Sequence, residues 1–142
     1  MKNLNNYIAE AWSGVKQQSL KQEIESWCDE MGIKKYTINS QGEIDVYGNV
    51  SLMYRKFKEL PYKFGTINGH FKLAYNPNLI SLKNCPNEVV SSFDIDGCSQ
   101  LSSLEGCPKK VHFNFWCRKC KRKFTEKEIR SLCKVGGYIH RE

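Results

Sequence analysis

A chain of 142 residues, 40% apolar and 26% charged, has the size and composition of one globular domain that buries a core without covalent staples. No apolar run approaches the roughly 18 residues that span a bilayer. The start Met1-Lys2-Asn3-Leu4-Asn5-Asn6 has no apolar segment behind its lysine, so neither a membrane helix nor export is expected and the expected location is the cytoplasm. The net charge of +7 is uneven: residues 109–142 hold 11 Lys/Arg against 3 Asp/Glu, and residues 1–108 hold 11 against 12. An acidic partner, protein or nucleic acid, is therefore expected at the C-terminal quarter.

In chain order, Tyr7–Trp12 predicts a short helix ending near Gly14. A second helix follows, with Leu20, Ile24, Trp27, Cys28 and Met31 on one face, Ser19-x-x-Gln22 as a capping box and Gly32 at the C-cap. Residues 1–35 are expected to form an N-terminal helical cap, with a separate helical binding arm as the alternative. Tyr36–Ile38 and Glu43–Val46 flank Ser40-Gln41-Gly42 as a hairpin.

A heptapeptide with apolar residues at alternate positions then recurs. It begins at Val46, Ile67, Val89 and Val111, and in a weaker form at Val135, at spacings of 21, 22, 22 and 24. Alternation predicts strands with one face in a core. Turns of about 22 residues cannot close a core alone and must stack. The apolar pairs Phe57/Leu60, Leu79/Leu82 and Leu101/Leu104 recur behind the strands and are expected to anchor the return loops. Near the C-terminus, Thr125-x-x-Glu128 is a capping box for a short helix with Ile129, Leu132 and Cys133 as its stripe. The predicted class is α+β: a short β-solenoid of about five rungs over residues 36–142, as one continuous domain.

The segments Phe71-x-Leu73-x-x-Asn76-x-x-Leu79, Phe93-x-Ile95-x-x-Cys98-x-x-Leu101 and Phe115-x-Cys117-x-x-Cys120-x-x-x-Phe124 resemble the leucine-rich-repeat pattern, with one or two extra residues before the last apolar position. With the phrase S-L-x-x-C-P at residues 81–86 and 103–108, the chain resembles the LRR-like repeat proteins of large tailed (T4-like) bacteriophages. The resemblance covers about residues 36–142. It implies a leucine-rich-repeat-like solenoid and a non-enzymatic accessory protein in the host cytoplasm. Such a protein would bind a bacterial host protein, one of defence among the candidates, and inhibit or redirect it.

Seven cysteines are an odd number in a chain without an export signal, so reduced, buried thiols are the default. Cys117-Arg118-Lys119-Cys120 is half of a zinc knuckle or a thiol redox pair. The repeat offers another account, placing Cys117 at the inward position of Leu73 and Ile95, and Cys120 at the ladder position of Asn76 and Cys98. The outward strand positions form three columns: Tyr47, Asn68, Val90, His112, Gly136; Asn49, His70, Ser92, Asn114, Tyr138; and Ser51, Lys72, Asp94, Trp116, His140. Within them Tyr47, His70, Lys72, Asp94, His112, Asn114, Trp116, Tyr138 and His140 are the candidate partner-binding residues, with Trp116 foremost because aromatic residues dominate binding hot spots. The competing reading packs Trp116 on a neighbouring loop or the C-terminal tail. Arg118, Lys119, Lys121, Arg122, Lys123, Lys127, Arg130 and Lys134 form a basic patch, either a solvated cap against end-to-end stacking or a phosphate-binding surface. No Gly-rich phosphate loop, paired-carboxylate site or Ser/Cys–His constellation emerges, so neither catalysis nor a cofactor is expected.

Overall fold

The computed structural model describes residues 4–142, with side chains from residue 14 onward; the reading of Met1–Asn3 lies outside them. The chain divides into two compact units, Met1–Lys34 and Lys35–Glu142.

The first unit is one helix, α1 (Leu4–Met31). The expected break near Gly14 and restart at Ser19 does not occur. A single helical Gly costs only about 1 kcal/mol relative to Ala, and the following Lys16, Gln17 and Gln18 are good helix formers, so the backbone runs through both positions. The helix stops where Gly32 adopts φ +76°. There Ile33 N–H bonds Cys28 O at 2.8 Å and Gly32 N–H bonds Asp29 O at 3.2 Å, the pair of bonds of a Schellman terminus.

The second unit opens with an antiparallel hairpin, β1 (Tyr36–Ile38) and β2 (Ile44–Val46), paired Tyr36↔Val46 and Ile38↔Ile44. Asn39 closes its turn, its side-chain oxygen accepting the Gln41 and Glu43 amides. The chain then winds as β3 (Val50–Ser51), β4 (Phe64–Ile67), β5 (Phe71–Lys72), β6 (Glu88–Val89), β7 (Phe93–Asp94), β8 (Lys110–Val111) and β9 (Phe115–Trp116). The helix α2 (Glu126–Leu132), β10 (Lys134–Val135) and β11 (Ile139–His140) complete it. The strands form two sheets, β1-β2-β4-β6-β8-β10 and β3-β5-β7-β9-β11, parallel except for the hairpin. This is a β-solenoid of about four turns, and the described residues hold two helices. Its register pairs Val46, Ile67, Val89, Val111 and Val135 in one sheet. In the other it pairs Val50, Phe71, Phe93, Phe115 and Ile139, so both follow the sequence spacing.

Each recurring heptapeptide was expected to be one strand. Instead its first residue ends a strand of the first sheet, its fifth begins a strand of the second, and the three between form a corner. Parallel backbone bonding continues through the bend: Ser91 N–H to Gly69 O at 3.1 Å, Phe113 N–H to Ser91 O at 3.2 Å, Gly137 N–H to Phe113 O at 2.8 Å. Corners stack tightly enough that a Cβ on Gly69 would lie 2.6 Å from the Gly48 carbonyl oxygen. Phe113, at the third position, is not inward as alternation predicts but 59% exposed.

The core between the sheets is a phenylalanine stack. Phe71, Phe93 and Phe115 sit on successive rungs, their ring centroids 6.1 and 5.3 Å apart, and Phe64 meets Phe71 edge-on at 5.1 Å. Leu60, Leu79, Leu82, Leu101 and Leu104 bury the return loops beneath it, while Phe57 is only half-buried. Thr125 caps α2 with the expected reciprocal box, accepting Glu128 N–H at 3.1 Å and donating its own amide to Glu128 Oε2 at 3.3 Å. Of the α2 stripe, Ile129 and Cys133 are buried but Leu132 is exposed: so short a helix turns a single residue, Ile129, inward.

The cysteines follow the repeat. Asn76 Nδ2 donates to Leu52 O at 2.9 Å, Cys98 Sγ to Leu73 O at 3.4 Å, and Cys120 Sγ to Ile95 O at 3.5 Å: one ladder position reaching back to the preceding rung each time. Cys117 is buried beside the phenylalanine stack's column. All seven cysteines are free thiols. Burial pushes Cys98 and Cys107 up to about 11, and Cys117, Cys120 and Cys133 up to about 12. Low-pKa, accessible thiols are the reactive ones; these have the opposite character. Among the described residues no three His, Cys, Asp or Glu side chains converge as a metal site, and no helix is long and apolar enough to cross a membrane.

Candidate interaction face

The three outward columns meet three different environments. The first lies at the start of the corner. Tyr47 is exposed there, and His112 Nε2 lies 2.6 Å from Glu88 Oε2, a contact within the surface rather than a group held free.

The second column closes the corner. Asn49 Oδ1 accepts His70 N–H at 2.8 Å, His70 Nδ1 accepts Ser92 N–H at 3.3 Å, Ser92 Oγ accepts Asn114 N–H at 3.2 Å, and Asn114 Oδ1 accepts Tyr138 N–H at 2.9 Å. Each side chain satisfies the amide of the next rung at a corner position that the backbone bonds of the bend do not serve. His70 and Asn114 therefore have a structural role that periodicity did not indicate.

The third column stands on the outer surface of the second sheet, where Lys72, Asp94 and Trp116 share a groove with His70, Ser92 and Asn114 of the second. His70, Lys72, Ser92, Asp94, Asn114 and Trp116, together with Asp96 and Arg118, enclose about 360 Å³. Trp116 is half-buried rather than fully solvent-facing. Its ring stacks on His140 of the last rung, with centroids 3.6 Å apart and planes within 10°, while the Arg118 guanidinium lies 4.9 Å from its centroid. These two contacts hold the indole at the wall of the groove. Tyr138 stands beside it, 77% exposed, its ring 6.5 Å from that of His140.

Asp96 organises the groove wall and was missed in the sequence, where it falls at an inward-to-turn transition. Its carboxylate is buried and accepts Arg118 N–H at 2.6 Å, Arg118 Nε–H at 3.0 Å and Arg118 Nη2–H at 2.7 Å. The exact 22-residue offset between Asp96 and Arg118 was the available signal. Asp94 Oδ1 accepts the Asp96 amide at 2.9 Å, and burial, offset in part by that bond, raises the Asp94 carboxyl above its usual range. Lys72 and Arg118 balance Asp94 and Asp96, so the groove is near-neutral, and the basic excess lies elsewhere.

The basic patch divides. Arg118 is held by Asp96, Arg122 by Glu128 with Nη1 to Oε2 at 3.0 Å, Lys123 by Glu142, and Arg130 by Glu126 at 3.1 Å. Lys119, Lys121, Lys127 and Lys134 make no ion pair among the described residues and are exposed. Lys134 pairs in register with Lys110, so the exposed edge of the first sheet is positively charged.

No family model matches the chain, and no solved structure matches it. A 78-residue stretch is 27% identical to cysteine-rich receptor-like protein kinase 27 of Arabidopsis thaliana, covering 53% of this chain and 12% of that protein. The chain thus spans about an eighth of the length of the curated relative it matches. The class that fold and groove define is a small β-solenoid with one organised strand face.

Proposed function

We propose that this chain is a non-enzymatic protein-interaction module whose partner docks on the outer surface of the second sheet, with Trp116 at the centre of the contact. The observation that carries the reading is the clamped indole. Trp116 is held between His140 and Arg118 at the rim of the groove, so little rotamer entropy remains to be lost on binding. Tyr138 extends this aromatic surface, and aromatic and arginine residues dominate interface hot spots. The unpaired lysines of the C-terminal end suit a partner with an acidic surface beside the groove. The resemblance to phage LRR-like repeat proteins makes a bacterial host protein the expected partner, inhibited or redirected by the contact.

The test is affinity capture from host lysate by the wild-type chain and by a Trp116→Ala/Tyr138→Ala variant, followed by direct titration of the captured protein. The double variant is expected to melt like the wild type and to bind at least about 30-fold more weakly, the effect of losing one hot spot. Undiminished binding of the same protein would sink the proposal.

Phosphate contact by the basic patch is the second reading, carried by Lys119, Lys121, Lys127 and Lys134. With four contacts, log affinity for single-stranded nucleic acid would fall with log salt at a slope of about −3. A salt-independent response, or no binding at low salt, rejects it.

A further inference from the structure

A fourth column lies outside the groove, at the turn that leaves each strand of the second sheet. Tyr54, Tyr75 and Lys119 have positive φ of 57°, 57° and 56°, and Gly97 in the same column has 70°. The turn requires the left-handed conformation in every rung: Tyr54 N–H bonds Ala74 O at 3.2 Å, Tyr75 N–H bonds Asp96 O at 2.7 Å, and Gly97 N–H bonds Arg118 O at 2.8 Å. Glycine suits such a position and occupies it once. A bulky aromatic residue there is unfavourable, yet two successive rungs carry tyrosine. Strain of this kind concentrates at functional sites.

The two rings form a built platform. They stack with centroids 5.2 Å apart and planes within 4°. Tyr75 rests on Gly97, where a Cβ would lie 2.3 Å from Tyr75 Cδ1; the glycine makes room for the ring. Tyr75 is 37% exposed and Tyr54 73% exposed, so the outermost π-face of the stack is open. Arg55 and Lys56 follow directly, both exposed and in no ion pair among the described residues. An open π-face beside exposed cations matches a flat, anionic ligand.

We propose that Tyr54, supported by Tyr75 and Gly97, is a stacking site for a base of single-stranded nucleic acid, with Arg55 and Lys56 meeting the flanking phosphates. Aromatic platforms beside cations bind single strands in this way without strict sequence preference. The site shares no residue with the groove or with the C-terminal basic patch.

The experiment titrates the full chain into a labelled single strand of about 12 nucleotides and into the matching duplex, at low salt, by fluorescence anisotropy. The wild type is expected to bind the single strand more tightly than the duplex. Tyr54→Gly keeps the turn, because glycine favours the left-handed conformation, and is expected to weaken single-strand binding by roughly 5- to 100-fold. Tyr54→Phe should retain affinity within about 2-fold, and Arg55→Gln/Lys56→Gln should reduce the salt slope by about 1.4. The groove variant Trp116→Ala/Tyr138→Ala should bind the strand like the wild type, which separates this site from the protein-binding reading. The proposal is overturned if the wild type does not bind the single strand, if the duplex binds as tightly, or if a folded Tyr54→Gly protein retains full affinity. Loss of protein-partner capture by Tyr54→Gly without strand binding would make the platform a protein contact and equally overturn it.

Discussion

Phe113 and Phe115 occupy equivalent positions in the alternating pattern, and the structure separates them completely. Phe115 is fully buried, its ring 5.3 Å from that of Phe93, whereas Phe113 is 59% exposed at the corner. Truncating a buried phenylalanine removes its transfer free energy and leaves a cavity, at a cost of about 3–5 kcal/mol. Phe115→Ala should therefore lose about 4 kcal/mol, a large part of the roughly 5–15 kcal/mol that holds a typical domain. With a urea slope of about 2 kcal/mol per molar, the unfolding midpoint drops by about 2 M. Phe113→Ala removes a mostly solvated ring and should stay within about 0.5 kcal/mol, a midpoint change of about 0.3 M at most. The assay is urea denaturation followed by circular dichroism on both variants and the wild type. Equal losses for the two would mean that both rings point inward, and the corner between the sheets would be wrong.

The buried thiols predict alkaline lability. Burial pushes these thiols from the ordinary value near 9.0 up to about 11 or 12 in the folded chain, so the unfolded chain loses its thiol protons first as pH rises. The stabilisation is complete below pH 9 and drains away between pH 9 and about 12 at about 1.4 kcal/mol per pH unit per thiol; chemical denaturation across that range should show the loss, and Cys117→Val should flatten the slope by one thiol's share. His70→Asn should be near neutral, since Asn49 and Asn114 perform the same corner bond, whereas His70→Ala should cost about 1 kcal/mol by urea titration. A Cβ on Gly136 would lie 2.2 Å from the His112 carbonyl oxygen, so Gly136→Ala should force backbone apart and cost about 1–3 kcal/mol in the same assay. Thr125→Ala removes the α2 cap and should lower stability by about 1 kcal/mol, measured the same way.

The spacing of 21, 22, 22 and 24 determined the register of both parallel sheets, because a stacked solenoid pairs each residue with its equivalent one turn away. The same periodicity marked the buried valines and phenylalanines and the Asn76/Cys98/Cys120 ladder, each a matter of local chemistry repeated at a fixed interval, while the Thr125 capping box marked α2. A one-dimensional pattern of period two does not state where an extended chain bends. The corner, the exposure of Phe113 and the bonding of His70 and Asn114 were therefore decided only by close stacking of rung on rung. The uninterrupted α1 was likewise decided by the whole helix against one glycine. The site depended most on tertiary structure. Trp116 between His140 and Arg118, Arg118 on Asp96, and Tyr54 on Tyr75 over Gly97 are contacts between side chains about 21 to 24 residues apart or across a turn. The sequence determines that such residues share a column; the geometry of the turn determines which of their faces meet.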